Sequence, residues 1–266
     1  MSERDPGDRG PVPSLEVVGD EHPDPAAAVL VCHGGRSHGR GSGARRRMAY
    51  WRMRPFGSGL ERAGRAHRSD LGHGVAVYLL RYRYRGWNGA AMDAYHDAAW
   101  AVGEITRRHP GRPVALLGHS MGGRAVLRAA GQPGVVAVCA LAPWIETEHG
   151  AGGTRTSTDP VEQLAGRAVL IAHGDRERMT DPAASLDYAI RARRVTDRVA
   201  RFDVLGDGHA MLRRAAGWTS LVRGFVLGDL GAEPLDRRIA NAMQRPAPDG
   251  LSVPLAPVHH ETGASP

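Results

Sequence analysis

Apolar and polar positions along this chain alternate between two patterns. Residues 26–32 form a continuous apolar run ending at His33-Gly34-Gly35, similar runs occupy residues 75–80, 114–117 and 135–141, and residues 167–172 form another that is apolar after Arg167. Unbroken runs of this length read as strands buried on both faces. Between them, Met92, Tyr95, Ala99, Val102 and Ile105 recur at helical spacing and predict a helix that ends before Pro110. Residues 124–130 are good helix formers, and Met48, Trp51 and Leu60 predict helical stretches on either side of Pro55. Thr180-Asp181-Pro182 supplies a cap and a first-turn proline for a helix reaching about residue 193. Trp218, Val222 and Phe225 mark one face of a last helix. Residues 15–18 read as a short first strand, and residues 201–205 alternate as a half-buried strand should.

Strands alternating with helices predict an α/β class: a mostly parallel central sheet with helices on both faces. Residues 14–230 are expected to form one domain. Residues 1–13, polar and rich in Pro and Gly, are expected to be disordered, and the Pro-rich stretch 231–266 to be a loosely held tail. Residues 144–160 read as a loop or minimal lid, so no large cap domain is expected. Sheets of this kind place their chemistry on the loops at the carboxyl ends of the strands. Those loops begin at His33, Ser120, Pro143, His173 and Leu205.

Composition narrows the functional classes. With 266 residues and 42% hydrophobic content, the chain can bury a substantial core. No stretch approaches the roughly 20 apolar residues of a bilayer span, so a membrane partner is not expected. The opening Met1-Ser2-Glu3-Arg4-Asp5-Pro6 lacks the apolar core of a signal peptide, and a cytoplasmic protein is expected. Cys32 and Cys139 fall inside strands and read as buried thiols rather than a disulfide or a metal pair. The net charge of +7 invites a nucleic-acid reading, but all 35 basic residues are arginine. They are scattered apart from Arg45-Arg46-Arg47 and the run at residues 81–85, so nucleic acid is not the expected partner. His33 and His38 are close, yet no third ligand is suitably spaced; neither a metal nor an organic cofactor is implied.

The chemistry gathers at Gly118-His119-Ser120-Met121-Gly122, a G-x-S-x-G run between a strand and a helix. Such a turn strains the serine backbone and projects its hydroxyl above the strand ends, making Ser120 the candidate nucleophile. A serine requires a base within hydrogen-bond reach. His209, on the glycine loop after residue 205, is best placed. His33 and His119 belong to turn motifs and are expected to brace loops, and His259 and His260 to be solvated.

A carboxylate should orient the imidazole. On the loop His173-Gly174-Asp175-Arg176-Glu177-Arg178, Glu177 is preferred to Asp175, with Glu146 third. The oxyanion donors are expected at the backbone N–H of Met121 and, from the His33-Gly34-Gly35 loop, at Gly35.

On these residues the chain resembles the α/β-hydrolase-fold serine hydrolases, near the lipase, esterase and dienelactone-hydrolase-like groups, over roughly residues 26–228. Relatives commonly carry H-G-x-x-D at the acid loop, and their aspartate aligns with Glu177, whose extra methylene calls for a small backbone shift. The resemblance implies hydrolysis of a small ester, thioester or amide through an acyl-enzyme, in a thinly covered pocket. Gly34, Trp87 and Trp144 are candidate pocket residues, the tryptophans equally readable as core or rim packing. Acyl transfer or noncatalytic ligand binding are the alternatives.

Overall fold

The computed structural model describes residues 11–41, 48–66, 74–149 and 155–256. In chain order the elements are β1 (Ser14–Val17), β2 (Ala27–Cys32), α1 (Met48–Ala66), β3 (Val75–Arg81), α2 (Asp93–Arg108), β4 (Val114–His119) and α3 (Met121–Ala129). There follow β5 (Val135–Leu141), β6 (Thr147–His149), β7 (Arg155–Ser157), β8 (Ala168–Gly174), α4 (Pro182–Ala192), β9 (Val199–Val204), α5 (Ala215–Asp229), α6 (Arg237–Gln244) and β10 (Val253–Leu255).

Eight strands form one sheet in the order β1-β3-β2-β4-β5-β8-β9-β10. Only β1 runs antiparallel to its neighbour. The continuous apolar runs are explained by cover on both faces. Along β2, Val29 and Val31 face the core under α1, α5 and α6, while Ala28, Leu30 and Cys32 face the core under α2, α3 and α4. From β2 the chain steps outward to β3 and returns on the other side with β4. The loops after β2 and β4 therefore leave in opposite directions, and a crevice opens between them.

Several expectations are met closely. Asp181 caps α4 by accepting from the Ala183 N–H at 2.9 Å, with Pro182 in the first turn. Within residues 144–160, β6 and β7 pair as a small two-stranded sheet, and among the described residues there is no cap domain.

Other expectations require correction. Pro55 does not divide two helices; α1 is continuous through it. Tyr50, Met53, Phe56 and Leu60 lie on both sides of the proline and are all buried, and their packing offsets one missing hydrogen bond. The stretch after Leu230 is not loose over residues 231–256. It contains α6, whose Ile239 is fully buried, and the edge strand β10 paired with β9. This explains β9 as well. Its alternation predicted a half-buried strand, but the returning chain covers it, and Arg201 is only 2% exposed. That guanidinium is satisfied internally by the Leu251 carbonyl at 3.0 Å, the Ser185 hydroxyl at 3.0 Å and Asp203 at 2.9 Å.

Residues 1–10 of the expected disordered segment, Arg45-Arg46-Arg47, His259 and His260 lie outside the described residues. Among the described residues no helix is long and apolar enough to cross a membrane.

Candidate active site

Ser120 occupies the one-residue joint between β4 and α3, with φ 56° and ψ −119°. A non-glycine residue held there stores about 1–3 kcal/mol of strain. Its surroundings hold it: the Ser120 N–H donates to the Leu141 carbonyl at 3.0 Å, and its carbonyl accepts from Arg124 and Trp144, each at 3.1 Å. The flanking glycines are steric necessities. A Cβ on Gly118 would collide with the Gly122 carbonyl, and one on Gly122 would lie 2.5 Å from the carbonyls of Cys32 and His33.

Two further loops converge on this elbow. His209 follows β9, and its Nδ1 lies 2.8 Å from Glu177 Oε2. The other carboxylate oxygen, Oε1, accepts from the N–H groups of Arg178 at 2.8 Å and Met179 at 2.7 Å. The Glu177 side chain is fully buried. Burial alone would raise its pKa; the His209 contact and the turn amides outweigh it and hold the carboxyl at about 2.

Glu177 is the one of the three weighed carboxylates that meets the ring. Asp175 is exposed and accepts from the Gly206 N–H at 2.8 Å. Glu146 pairs with Arg124 at 2.8 Å.

The acid and histidine loops are stitched together. Asp175 reaches Gly206, and the Arg176 N–H donates to the Asp207 carbonyl at 2.9 Å. The buried Asp207 carboxylate accepts from its neighbour Gly208 at 2.8 Å, from the Arg214 N–H at 2.9 Å and from Trp218 Nε1 at 3.0 Å. Sequence reasoning passed over Asp207; its place in Gly206-Asp207-Gly208-His209 was the available signal.

His119 is the second brace. Its Nε2 donates to the His209 carbonyl at 2.9 Å, and the two rings lie 4.7 Å apart. Burial, then the neighbouring His209 and Arg52, push its pKa down to about 3, so the ring is neutral with the proton on Nε2. His209 is thus held over the elbow through His119. Among the described residues no hydrogen bond joins Ser120 to His209.

The loop after β2 packs against the nucleophile. A Cβ on Gly34 would stand 3.3 Å from Ser120 Cβ, and one on Gly35 would overlap the Met121 side chain. Among the described residues none accepts from the N–H of Gly35 or Met121. Met121 is also the first residue of α3, where the helix dipole favours negative charge.

Trp87 and Trp144 pack against each other, Trp144 half-buried. Trp87 is 2% exposed, and the rings meet edge to face at 6.2 Å. Both lie against the Arg124 guanidinium, at 4.2 and 4.8 Å. Among the described residues no three His, Cys, Asp or Glu side chains gather to hold a metal ion.

A family model described as the alpha/beta hydrolase family matches residues 29–265. The chain belongs to the α/β-hydrolase family. No curated protein sequence matches it. Among solved structures, it is similar to Thermogutta terrifontis esterase 2 phosphoramylated by tabun, with TM-score 0.58 and 16% identity over 84% of this chain and 92% of that one. It is similar to a Paleococcus ferrophilus monoacylglycerol lipase, with TM-score 0.56 and 15% identity over 83% and 99%. A Xanthomonas campestris α/β serine hydrolase described as having no lid shares 18% identity over 85% and 94%, with TM-score 0.55. At these identities the likeness is one of fold: an α/β hydrolase without a large cap.

Proposed function

We propose that this α/β hydrolase cleaves a carboxylic ester of a small substrate through an acyl-enzyme on Ser120. One observation carries the reading: a buried glutamate 2.8 Å from a histidine ring, on loops that converge on a serine held at φ 56°. Glu177 fixes the His209 ring with its proton on Nδ1, leaving Nε2 free to act as base. In the proposed reaction Nε2 takes the Ser120 proton as the hydroxyl oxygen attacks the ester carbonyl. The oxyanion receives hydrogen bonds from the Met121 and Gly35 N–H groups. Collapse of the tetrahedral species breaks the bond to the alcohol, which leaves with the proton from His209. Water, deprotonated by His209, then frees the acid and restores Ser120.

The missing Ser120–His209 hydrogen bond is compatible with this scheme, because catalytic contacts are commonly long without substrate and tighten when it binds. The same gap supports a second reading, a noncatalytic ligand-binding member of the fold.

Hydrolysis of p-nitrophenyl butyrate separates the two. Turnover by the purified protein, lost by at least about 10³-fold in a folded Ser120→Ala variant, is expected. Equal turnover in the variant would remove the nucleophile, and absence of turnover from pH 6 to 9 would favour the binding protein. Thioesters and amides, offered in parallel, define the bond class.

A further inference from the structure

A cavity of about 440 Å³ opens beside His209, between the first turns of α1 and the segment leading into α5. Met48, Trp51 and Pro55 line one side and Ala210, Met211 and Leu212 the other. This volume lies within the about 300–1,000 Å³ of small-ligand sites. Three of its apolar side chains stand in water: Met48 is 76% exposed, Trp51 51% and Leu212 71%. Large apolar groups gathered on one rim mark a binding surface. Ala210 and Leu212 closely follow His209, and both also line a neighbouring cavity that His209 itself lines.

One charge interrupts the apolar lining. Arg52 contributes to the same cavity and is half-buried, and no described residue accepts a hydrogen bond or ion pair from its guanidinium. Arg54, two positions along α1, has a partner in Glu16 at 3.1 Å. Among the described residues no acidic side chain lines the cavity. The Arg52 charge is near enough to the elbow to act on His119. A partly dehydrated guanidinium with no counter-charge among the described residues is suited to an anion, and a carboxylate matches its forked donors. A single cation balances a carboxylate and leaves a phosphate dianion under-compensated.

We propose that this cavity holds the apolar body of a substrate that also carries a carboxylate, bound by Arg52, with its scissile bond turned toward Ser120 and His209. The proposal rests on the reading of Ser120, His209 and Glu177 as the reacting groups, and it narrows the substrate to an apolar ester bearing one negative charge.

Calorimetric titration of the full-length protein with octanoate, octan-1-ol and acetate tests it. Octanoate is expected to bind more tightly than either of the others, with affinity rising about fourfold (0.8 kcal/mol) per methylene across the carboxylate series. Arg52→Gln is expected to weaken octanoate by about tenfold or more while leaving octanol within about twofold. Trp51→Ala is expected to weaken both. Octanoate binding no tighter than octanol, or unchanged by Arg52→Gln, would overturn the carboxylate assignment, including the case in which octanoate merely occupies the oxyanion donors. Binding unchanged by Trp51→Ala would overturn the cavity. Because the readout is binding of a ligand that is not cleaved, its failure alongside intact ester hydrolysis overturns this inference alone. Binding without any hydrolysis overturns the hydrolase reading instead.

Discussion

His119 Nε2 donates to the backbone carbonyl of His209 at 2.9 Å, so the residue beside the nucleophile supports the loop that carries the base. The motif position written as x in G-x-S-x-G therefore has a defined task in this chain. Its ring is buried and neutral, and it transmits the position of β4 to the loop after β9.

This makes His119 a positioning residue with a testable signature. His119→Leu removes one hydrogen bond, worth about 1 kcal/mol net. We expect kcat to fall about fivefold with KM within about twofold, and His119→Gln, which retains a donor, to recover part of the loss. Steady-state ester kinetics on the three proteins check this. Equal kcat in His119→Leu would mean that the loop holds itself.

Asp207 supports the same loop from the other side. Asp207→Ala leaves the Trp218 Nε1–H and the Arg214 N–H without an acceptor, and loss of such buried bonds costs about 1–3 kcal/mol. A lower urea midpoint together with a lower kcat is expected. A change in stability with kcat intact would separate folding from positioning.

Glu177 sets an acid limit. Its carboxyl is held at about 2, below the ordinary 4.5, so its pairing contributes stability that is complete above about pH 4.5. That contribution is lost as pH falls from about 4.5 toward about 2. After allowance for solvent screening it amounts to about 1–3 kcal/mol. Urea unfolding at pH 6, 4 and 3 should show the gap between the native protein and Glu177→Gln narrowing as pH drops. A gap constant with pH would contradict the assignment.

The elbow makes a prediction about strain. At φ 56° and ψ −119° glycine is at ease and alanine is not. Ser120→Gly should therefore melt above Ser120→Ala, by about 1 kcal/mol in stability, although both lack the nucleophile. The reverse order in calorimetry would mean that the backbone relaxes once the hydroxyl is gone.

Much of this site was legible because its signals are local or follow chain order. The strand–G-x-S-x-G–helix sequence specifies the elbow. The offset of Glu177 from Gly174 and the place of His209 after the last long strand follow from one loop per strand end. What was not legible depends on distant partners. Periodicity over residues 201–205 read Arg201 as solvent-facing, because nothing local shows that Leu251 returns to accept from it. Pro55 read as a break, because its helix is held by buried neighbours whose partners lie in the sheet and α5. Trp87 and Trp144 carried no sign of Arg124, a helix residue far from Trp87 in sequence, as the group they enclose. The apolar face of α6 was too short to stand out among its arginines. Removal of residues 231–266 would uncover β9, and a fall in melting temperature of about 10 °C or more, or aggregation through the exposed edge, is expected on that account. An unchanged melting temperature would show the tail to be dispensable.

The central claim is that His209 and Glu177 activate Ser120. The most direct test is the rate at which a fluorophosphonate adds to the intact protein, followed by mass and located by peptide mapping. One adduct per chain on Ser120 is predicted, absent in Ser120→Ala and slowed by about 10³-fold or more in His209→Ala. Labelling at another residue, or at an undiminished rate without His209, would contradict it.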